Sequence, residues 1–384
     1  MDSSELEEIL GGVRRFVRDV VVPLEPQIDD EDEIPGDVIA QAKAMGLYGF
    51  AIPEEYGGLG LSAHEEMQLV IELGWTTPSF RSLFGTNNGI AGHTLIEGGT
   101  PEQKKTCLPK LASGEWVASF GLTEPDAGSD PGSMTTRAER QGDEWVINGA
   151  KRYITNSPVA DVILVFARTR PGVSPSKGVS VFMVPTDTAG LSVGPKDLKM
   201  GQAGAWSADV YLDDVRVPHS AMVGEEEGAG YVTAMRSLAH GRLHIAALCV
   251  GMAQRLVHES VEYAQHREQG GRPIADFQLI QALLADSQTD TMAARALVLD
   301  AAVKFDAGVD TKMGAAAAKY FASEAVGRVA DRAVQIHGGA GYMRGVAVER
   351  FYRDARLFRI YEGTSQIQQL VIARQLLATH PKEG

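Results

Sequence analysis

DVILVFAR (161–168) and VSVFMV (179–184) are apolar runs whose length and β-branched, aromatic composition suit strands. Between them PGVSPSKG (171–178) carries two prolines and two glycines and reads as a solvent loop. Three more runs of the same kind lie outward from this pair: VASFGL (117–122) and EWVING (144–149) before it, ADVYLDDVRV (208–217) after it. Gly, Pro, Asp and Ser separate them. The pattern predicts a middle antiparallel β domain over residues 117–228.

On both sides the helical period returns. Upstream, Ser4 followed by Glu7 reads as a capping box opening a first helix that Pro23 ends. Thr100-Pro101-Glu102-Gln103 combines a cap, a proline at the first helical position and a glutamine that reaches back, and Gly114 marks where that helix stops. Downstream, Ala-, Leu- and Val-rich runs cover 230–265, 276–306 and 311–336. A last helix over about 365–378 places Ile367, Leu370, Val371 and Leu377 on or near one face. The prediction is an α+β multidomain chain: an all-helical N-terminal domain (1–116), the β domain (117–228) and a helical C-terminal domain (229–384). There is no internal repeat.

The chain has 384 residues, too many for one compact core, and 44% of them are hydrophobic against 22% charged. Its net charge of −14 argues against a phosphate-backbone binder, so no nucleic-acid partner is expected. Cys107 and Cys249 form no close pair and read as reduced structural thiols. The acidic N-terminus is unlike a targeting peptide, and no apolar stretch is long enough to span a bilayer. A soluble, cytoplasmic protein without a metal site is expected.

Three segments carry chemistry. GLTEPDAGSD (121–130) joins a strand to a turn rich in glycine and hydroxyls. Such a turn either holds a phosphate or the polar edge of a heterocycle, or is an ordinary Asx/Ser-rich turn. IHGGAGY (336–342) follows a helix; paired glycines either let a backbone approach a ligand closely or simply cap the helix. In RIYEGTSQ (359–366), Glu362 stands between an aromatic stretch and Gly363, and Thr364 can cap the last helix. A carboxylate against apolar walls has a raised pKa that suits a general base, whereas a solvated one is only a helix N-terminal charge.

Together LTEPDAGSD (122–130), GAKRYITN (149–156), DDVRVP (213–218), Gly241-Arg242, QIHGGAGY (335–342), ERFYRDAR (349–356) and IYEGTSQIQ (360–368) resemble the acyl-CoA dehydrogenase family, in its order and across almost the whole chain. The resemblance implies a C-terminal four-helix bundle, FAD as cofactor, an acyl-CoA substrate, an electron-transfer flavoprotein as acceptor and a homotetramer or homodimer. It implies α,β-dehydrogenation to a trans-2-enoyl-CoA, with Glu362 taking the α-proton and flavin N5 the β-hydride. The thioester carbonyl would be held by the N–H of Glu362 and a ribityl hydroxyl. Leu122 and Thr123 would meet the flavin pyrimidine edge, and Ser129 the pyrophosphate or the acyl-CoA. Tyr153 would cover the flavin, and Thr155 would approach its reactive nitrogen. Arg267, Gln278, Gln335, Gly338 and Gly339 would reach the FAD of a neighbouring subunit, and Thr364 and Gln366 would hold FAD beyond the catalytic loop. Arg242 and Gly363 would lie against the substrate.

The family's alternative base position precedes the arginine of the Gly-Arg pair; here it is Gly241, which leaves Glu362 as the base. Phe80-Arg81-Ser82 resembles the arginine motif of glutaryl-CoA dehydrogenases. Arg81 would then grip an acidic acyl end, or else form a structural salt bridge with Glu54 or Glu55. Three places depart from the family pattern: Gly270 stands where Phe is common, Ala239 where Asp is common, and Ala203 and Trp206 alter KMGQAGAWS (199–207). Trp206 would narrow a channel or pack under the sheet. The rival activities are decarboxylation or desulfination of an acidic acyl-CoA, a flavin acyl-CoA oxidase, which is disfavoured because such chains are typically longer, and a non-catalytic acyl-CoA binder.

Overall fold

The computed structural model describes residues 2–379. The helices upstream of the sheet are α1 (Ser3–Phe16), α2 (Glu25–Glu31), α3 (Gly36–Ala44), α4 (Ala63–Leu73), α5 (Pro78–Asn88), α6 (Ile90–Gly98) and α7 (Pro101–Ser113). Strands β1 (Ala118–Gly121), β2 (Arg137–Gln141), β3 (Glu144–Thr155), β4 (Val162–Arg168), β5 (Val179–Pro185), β6 (Leu191–Val193) and β7 (Ser207–Pro218) follow, with a helical turn α8 (Pro175–Gly178) before β5. Helices α9 (Gly230–His266), α10 (Gln278–Asp306), α11 (Met313–His337), α12 (Ala347–Ala355) and α13 (Ser365–Thr379) complete the chain, with a small hairpin of β8 (Glu268–Gln269) and β9 (Arg272–Pro273) between α9 and α10.

Local chemistry accounts for most boundaries. Thr100 and Gln103 form the reciprocal cap of α7, and Gly114 ends it at φ +72°. The start of α1 differs from expectation: Asp2, not Ser4, is the cap, its carboxylate accepting from the backbone N–H of Ser4 and Glu5 at 2.8 Å. A carboxylate one turn earlier satisfies the free donors before Ser4 can. The helix then loosens into a π-helical turn (Val17–Val21) before Pro23. The loop predicted over 171–178 contains the turn α8. Gly270 and Gly271 fill the two central positions of the β8–β9 hairpin, at φ +61° and +77°. That tight turn needs left-handed backbone at both places, which a phenylalanine adopts only with strain.

The sheet is mostly antiparallel: β2 with β3, β3 with β7, β7 with β6 and β4 with β5. The exceptions are both on β4: β1 runs parallel to it (Ala118 opposite Val162), and β2 meets it in parallel at Arg137 opposite Arg168. The connection from β1 travels through the 122–136 loop and the β2–β3 hairpin before β4 begins, which is what a parallel pair requires.

Two cores result. Val165, Phe182, Trp145, Val210 and Val215 fill the sheet's inner face. The larger core takes residues from both helical segments: Val13, Phe16, Met67, Phe80 and Phe84 pack with Leu243, Leu248, Met252, Val298, Val326 and Phe351. The first and third segments, separated in sequence by the sheet, thus share one interior.

Candidate active site

Where the two bodies meet there is a cavity of about 600 Å³. Its walls come from α5 (Arg81, Thr86), the loop after β1 (Leu122, Thr123, Ser129), the end of β3 (Tyr153, Thr155), α9 (Arg242), the segment before α13 (Tyr361, Glu362, Gly363) and α13 itself (Ile367, Leu370, Val371).

Each wall is held by identifiable chemistry. The loop after β1 hangs on a buried ion pair: Lys151 Nζ donates to Glu124 Oε1 at 2.7 Å and to the Leu122 carbonyl at 3.3 Å. Glu124 also accepts from the N–H groups of Thr135 and Thr136. Burial opposes ionisation of Glu124, yet Lys151 and these donors hold its carboxyl down to about 2, while burial brings Lys151 to about 8. The Thr123 carbonyl accepts from Arg152 N. At the end of β3 the register slips between Lys151 and Ile154, Tyr153 takes φ +57°, and its ring is 61% exposed at the cavity. The bulge re-aims Tyr153 out of the strand's alternation. Asn156 donates to the carbonyl of Ser82 at 2.8 Å, tying this strand end to α5.

Glu362 sits at φ +52° and Gly363 at φ +90°. Their carbonyls are fastened: Gln368 Nε2 donates to both, at 3.1 and 3.0 Å, and the buried Lys319 Nζ donates to Gly363 O at 2.7 Å. Thr364 Oγ1 accepts from Ile367 N at 3.2 Å and so caps α13. The strained turn thus has its backbone acceptors satisfied, while Glu362 Oε2 is buried with no hydrogen-bond partner. Burial raises the Glu362 carboxyl above its ordinary value, against the opposing charges of Arg81, Lys319 and Arg242. Such a group is a base strong enough to remove a weakly acidic C–H proton and still able to ionise. Gly241 on α9 lies directly against it; a Cβ there would stand 2.3 Å from Glu362 Oε2.

Three models of one family match the chain end to end: the acyl-CoA dehydrogenase N-terminal domain over residues 3–115, its middle domain over 119–215 and its C-terminal domain over 228–377. The chain belongs to the acyl-CoA dehydrogenase family. It is 37% identical over 371 residues to the caffeyl-CoA reductase–Etf complex subunit of Acetobacterium woodii, covering 95% of this chain and 97% of that one. It superposes on the butyryl-CoA dehydrogenase of Megasphaera elsdenii with a TM-score of 0.94 at 33% identity, covering 98% and 100% of the two chains. A glutaryl-CoA dehydrogenase complexed with glutaryl-CoA gives 0.93 at 34% identity, with 98% and 97% covered. This acyl-CoA dehydrogenase family member is therefore an FAD-dependent oxidoreductase.

The cavity fits that cofactor: an unpartnered buried carboxylate oxygen lines it together with Tyr153, Thr155 and the glycine-containing loop 122–131. Of the residues singled out from sequence, Arg81, Leu122, Thr123, Ser129, Tyr153, Thr155, Arg242, Glu362 and Gly363 all line it. Thr364 and Gln366 lie just beyond the lining, in the cap and first turn of α13. Arg267, Gln278, Gln335, Gly338 and Gly339 do not line it. They cluster where α9 ends, α10 begins and α11 ends, around Ala264, Ile274, Phe277 and Ile336. A side chain added at Gly338 or Gly339 would meet nothing within 4 Å in this chain.

The salt bridge envisaged between Arg81 and Glu54 or Glu55 is absent; those glutamates lie exposed on a surface turn, while Arg81 is buried beside the cavity. Trp206 does not line the cavity. Its Nε1 donates to Asp32 O at 2.6 Å and Lys196 covers its ring at 4.5 Å. Sequence reasoning overlooked Lys319, Gln368 and the Glu124–Lys151 pair. The signal for Lys319 was a lysine interrupting the small-residue run AAAAKYFA (315–322).

Proposed function

We propose that this protein interconverts a short acyl-CoA and its trans-2-enoyl-CoA, with Glu362 as the base at the α-carbon. The observation that carries this is the buried, unpartnered Glu362 Oε2 in the cavity wall. Bound FAD supplies the two-electron acceptor for the β-hydrogen. Leu122, Thr123, Tyr153 and Thr155 would hold its ring, Ser129, Thr364 and Gln366 its outer parts, and Arg242 and Gly363 the thioester. The backbone N–H of Glu362 is the donor we assign to the thioester oxygen, where negative charge develops as the α-proton leaves. The apolar lining from Ile367, Leu370 and Val371 keeps water from the deprotonated carbon.

Microscopic reversibility gives Glu362 the opposite task in the reductive direction, protonating the α-carbon, and the Acetobacterium relative named as a reductase favours this as a second reading. The same name supports an electron-transfer flavoprotein as partner. Arg81 in the wall supports a substrate with an acidic far end, as does the resemblance to a glutaryl-CoA dehydrogenase.

Anaerobic mixing with a panel of straight, branched and dicarboxylic acyl-CoAs, read as bleaching of the flavin band, tests the oxidative reading; re-oxidation of the reduced protein by the matching enoyl-CoAs tests the reductive one. Glu362→Gln is expected to retain FAD and lose at least about 10³-fold in the rate of both, because an amide cannot take the proton. Flavin bleaching at the wild-type rate in that variant would sink the assignment.

A further inference from the structure

From Arg81 in the cavity wall a buried chain of polar groups runs inward, and beyond Arg81 proton abstraction does not use it. Arg81 Nη2 lies 2.8 Å from His244 Nδ1, His244 Nε2 lies 2.6 Å from Glu66 Oε2, and His240 Nε2 lies 3.2 Å from Glu66 Oε1. Arg81, His244, His240 and Glu66 are all buried, Arg81 the most exposed of them at 6%. The protons can be assigned. A guanidinium only donates, so His244 Nδ1 accepts from Arg81, and the ring proton sits on Nε2, pointing at Glu66. Burial agrees, bringing the His244 imidazole down to about 3 and His240 to about 4. The Glu66 carboxyl is raised by burial, against the hydrogen bond from His244 and the charge of Arg81.

The same assignment argues against a metal. Glu66, His240 and His244 bring their ligand atoms within 4.8 Å of one another. A ligating His244 Nε2 would need its proton on Nδ1, which would then face the Arg81 donor.

Arg81 is thus a buried cation that feels the charge of Glu362 first and reaches Glu66 only through an imidazole. Among the described residues no carboxylate lies within ion-pair distance of it, and its Nε is buried without a partner. Gly85 makes room for the arrangement, since a Cβ there would stand 2.5 Å from Arg81 Nη1 and 2.7 Å from Cζ. A direct carboxylate partner would occupy a whole edge of the guanidinium. A neutral imidazole takes one N–H and leaves the others.

We propose that His244 and Glu66 are positioning residues for Arg81, holding it as a cation with donors free for an anionic group at the far end of a short acyl chain. This rests on reading the cavity as the acyl-CoA site. Arg81 and Glu362 line the same cavity, so one acyl chain within it can meet both.

The test is a double-mutant cycle on the flavin-loaded protein with Glu66→Gln, Arg81→Met and the double variant. Binding of non-reacting thioether analogues of glutaryl-CoA and butyryl-CoA is measured by calorimetry, beside KM and kcat for the thioesters. Glu66→Gln is expected to lower the acidic-to-neutral affinity ratio about tenfold, mostly in KM, because Arg81 loses its support. In the Arg81→Met background the same change should move that ratio less than about twofold. An equal effect of Glu66→Gln in both backgrounds, or on both analogues, overturns the proposal. If the wild type shows no preference for the acidic analogue and Arg81→Met leaves the ratio alone, the acidic-substrate reading itself fails and takes the relay with it. If Arg81→Met abolishes a wild-type preference while Glu66→Gln does not disturb it, the relay alone fails. Should Glu66→Gln not fold, His244→Asn takes its place in the cycle, since its shorter amide can accept from Arg81 but cannot bridge to Glu66.

Discussion

Gly241 is a small residue with a large consequence. It sits where the family's alternative base belongs, and it also clears the space that the Glu362 carboxylate occupies. The missing Cβ is what allows Oε2 to stand in the cavity wall, since the alanine methyl would approach within 2.3 Å. Gly241→Ala is expected to keep the fold, because alanine favours a helix interior, and to slow anaerobic flavin reduction by about 10²-fold through displacement of the carboxylate. Rapid-reaction spectroscopy at saturating acyl-CoA would check it; a wild-type rate would mean the carboxylate works from elsewhere. Glu362 itself was legible as a carboxylate beside aromatic residues, but not as a buried one. Burial depends on α5, α9 and α11 arriving from distant parts of the chain.

At the scale of elements, the turn before α13 is a strained piece of backbone with its carbonyls tied down from outside. Lys319 on α11 and Gln368 on α13 do the tying. Lys319 is also one of three cations that oppose the effect of burial on Glu362. Two expectations follow for Lys319→Met. Losing the bond to Gly363 O frees the turn and should cut kcat about tenfold, with KM less affected. Losing the cation should raise the Glu362 carboxyl further. The sign is fixed: the base works only when deprotonated, so activity falls as pH drops through its raised pKa. The acid limb of the wild-type kcat–pH profile should lie above the usual carboxylate range, and in Lys319→Met it should move to still higher pH. An unmoved limb would show that Lys319 supports the turn without touching the electrostatics of the base. The capping box of α7, the cap of α13 by Thr364 and five of the sheet's seven strands were readable in advance, because they depend on residues a few positions apart; the short β2 and β6 were not. The bulge that turns Tyr153 outward was not, since a slip in register is a property of two strands.

For the whole molecule, the residues expected to hold FAD fall into two groups at different places on one chain. The first lines the cavity or, at Thr364 and Gln366, borders it. The second, Arg267, Gln278, Gln335, Gly338 and Gly339, lies at the far ends of α9, α10 and α11, beside the exposed Leu279, Tyr342 and Met343. An arrangement in which one subunit's second group completes another's cavity would use both. Arg267→Ala is then expected to weaken FAD binding about tenfold with the molar mass by light scattering unchanged, losing a charge-assisted contact with the cofactor. Undiminished FAD affinity would confine the site to one subunit.

What the linear chain determined by itself was local and periodic: helices, then strands, then helices, the caps of α7 and α13, and the run of motifs that named a family. Those features follow from hydrophobic spacing and from hydrogen bonds reaching three or four residues. Tertiary structure alone decided that the first and last segments share a core, that β1 runs parallel to β4, and that Arg81 meets His244, 163 residues on, instead of Glu54 or Glu55. Contacts of that kind join residues far apart in the chain, and burial, which sets the ionisation of Glu362, exists only once those segments have closed around it.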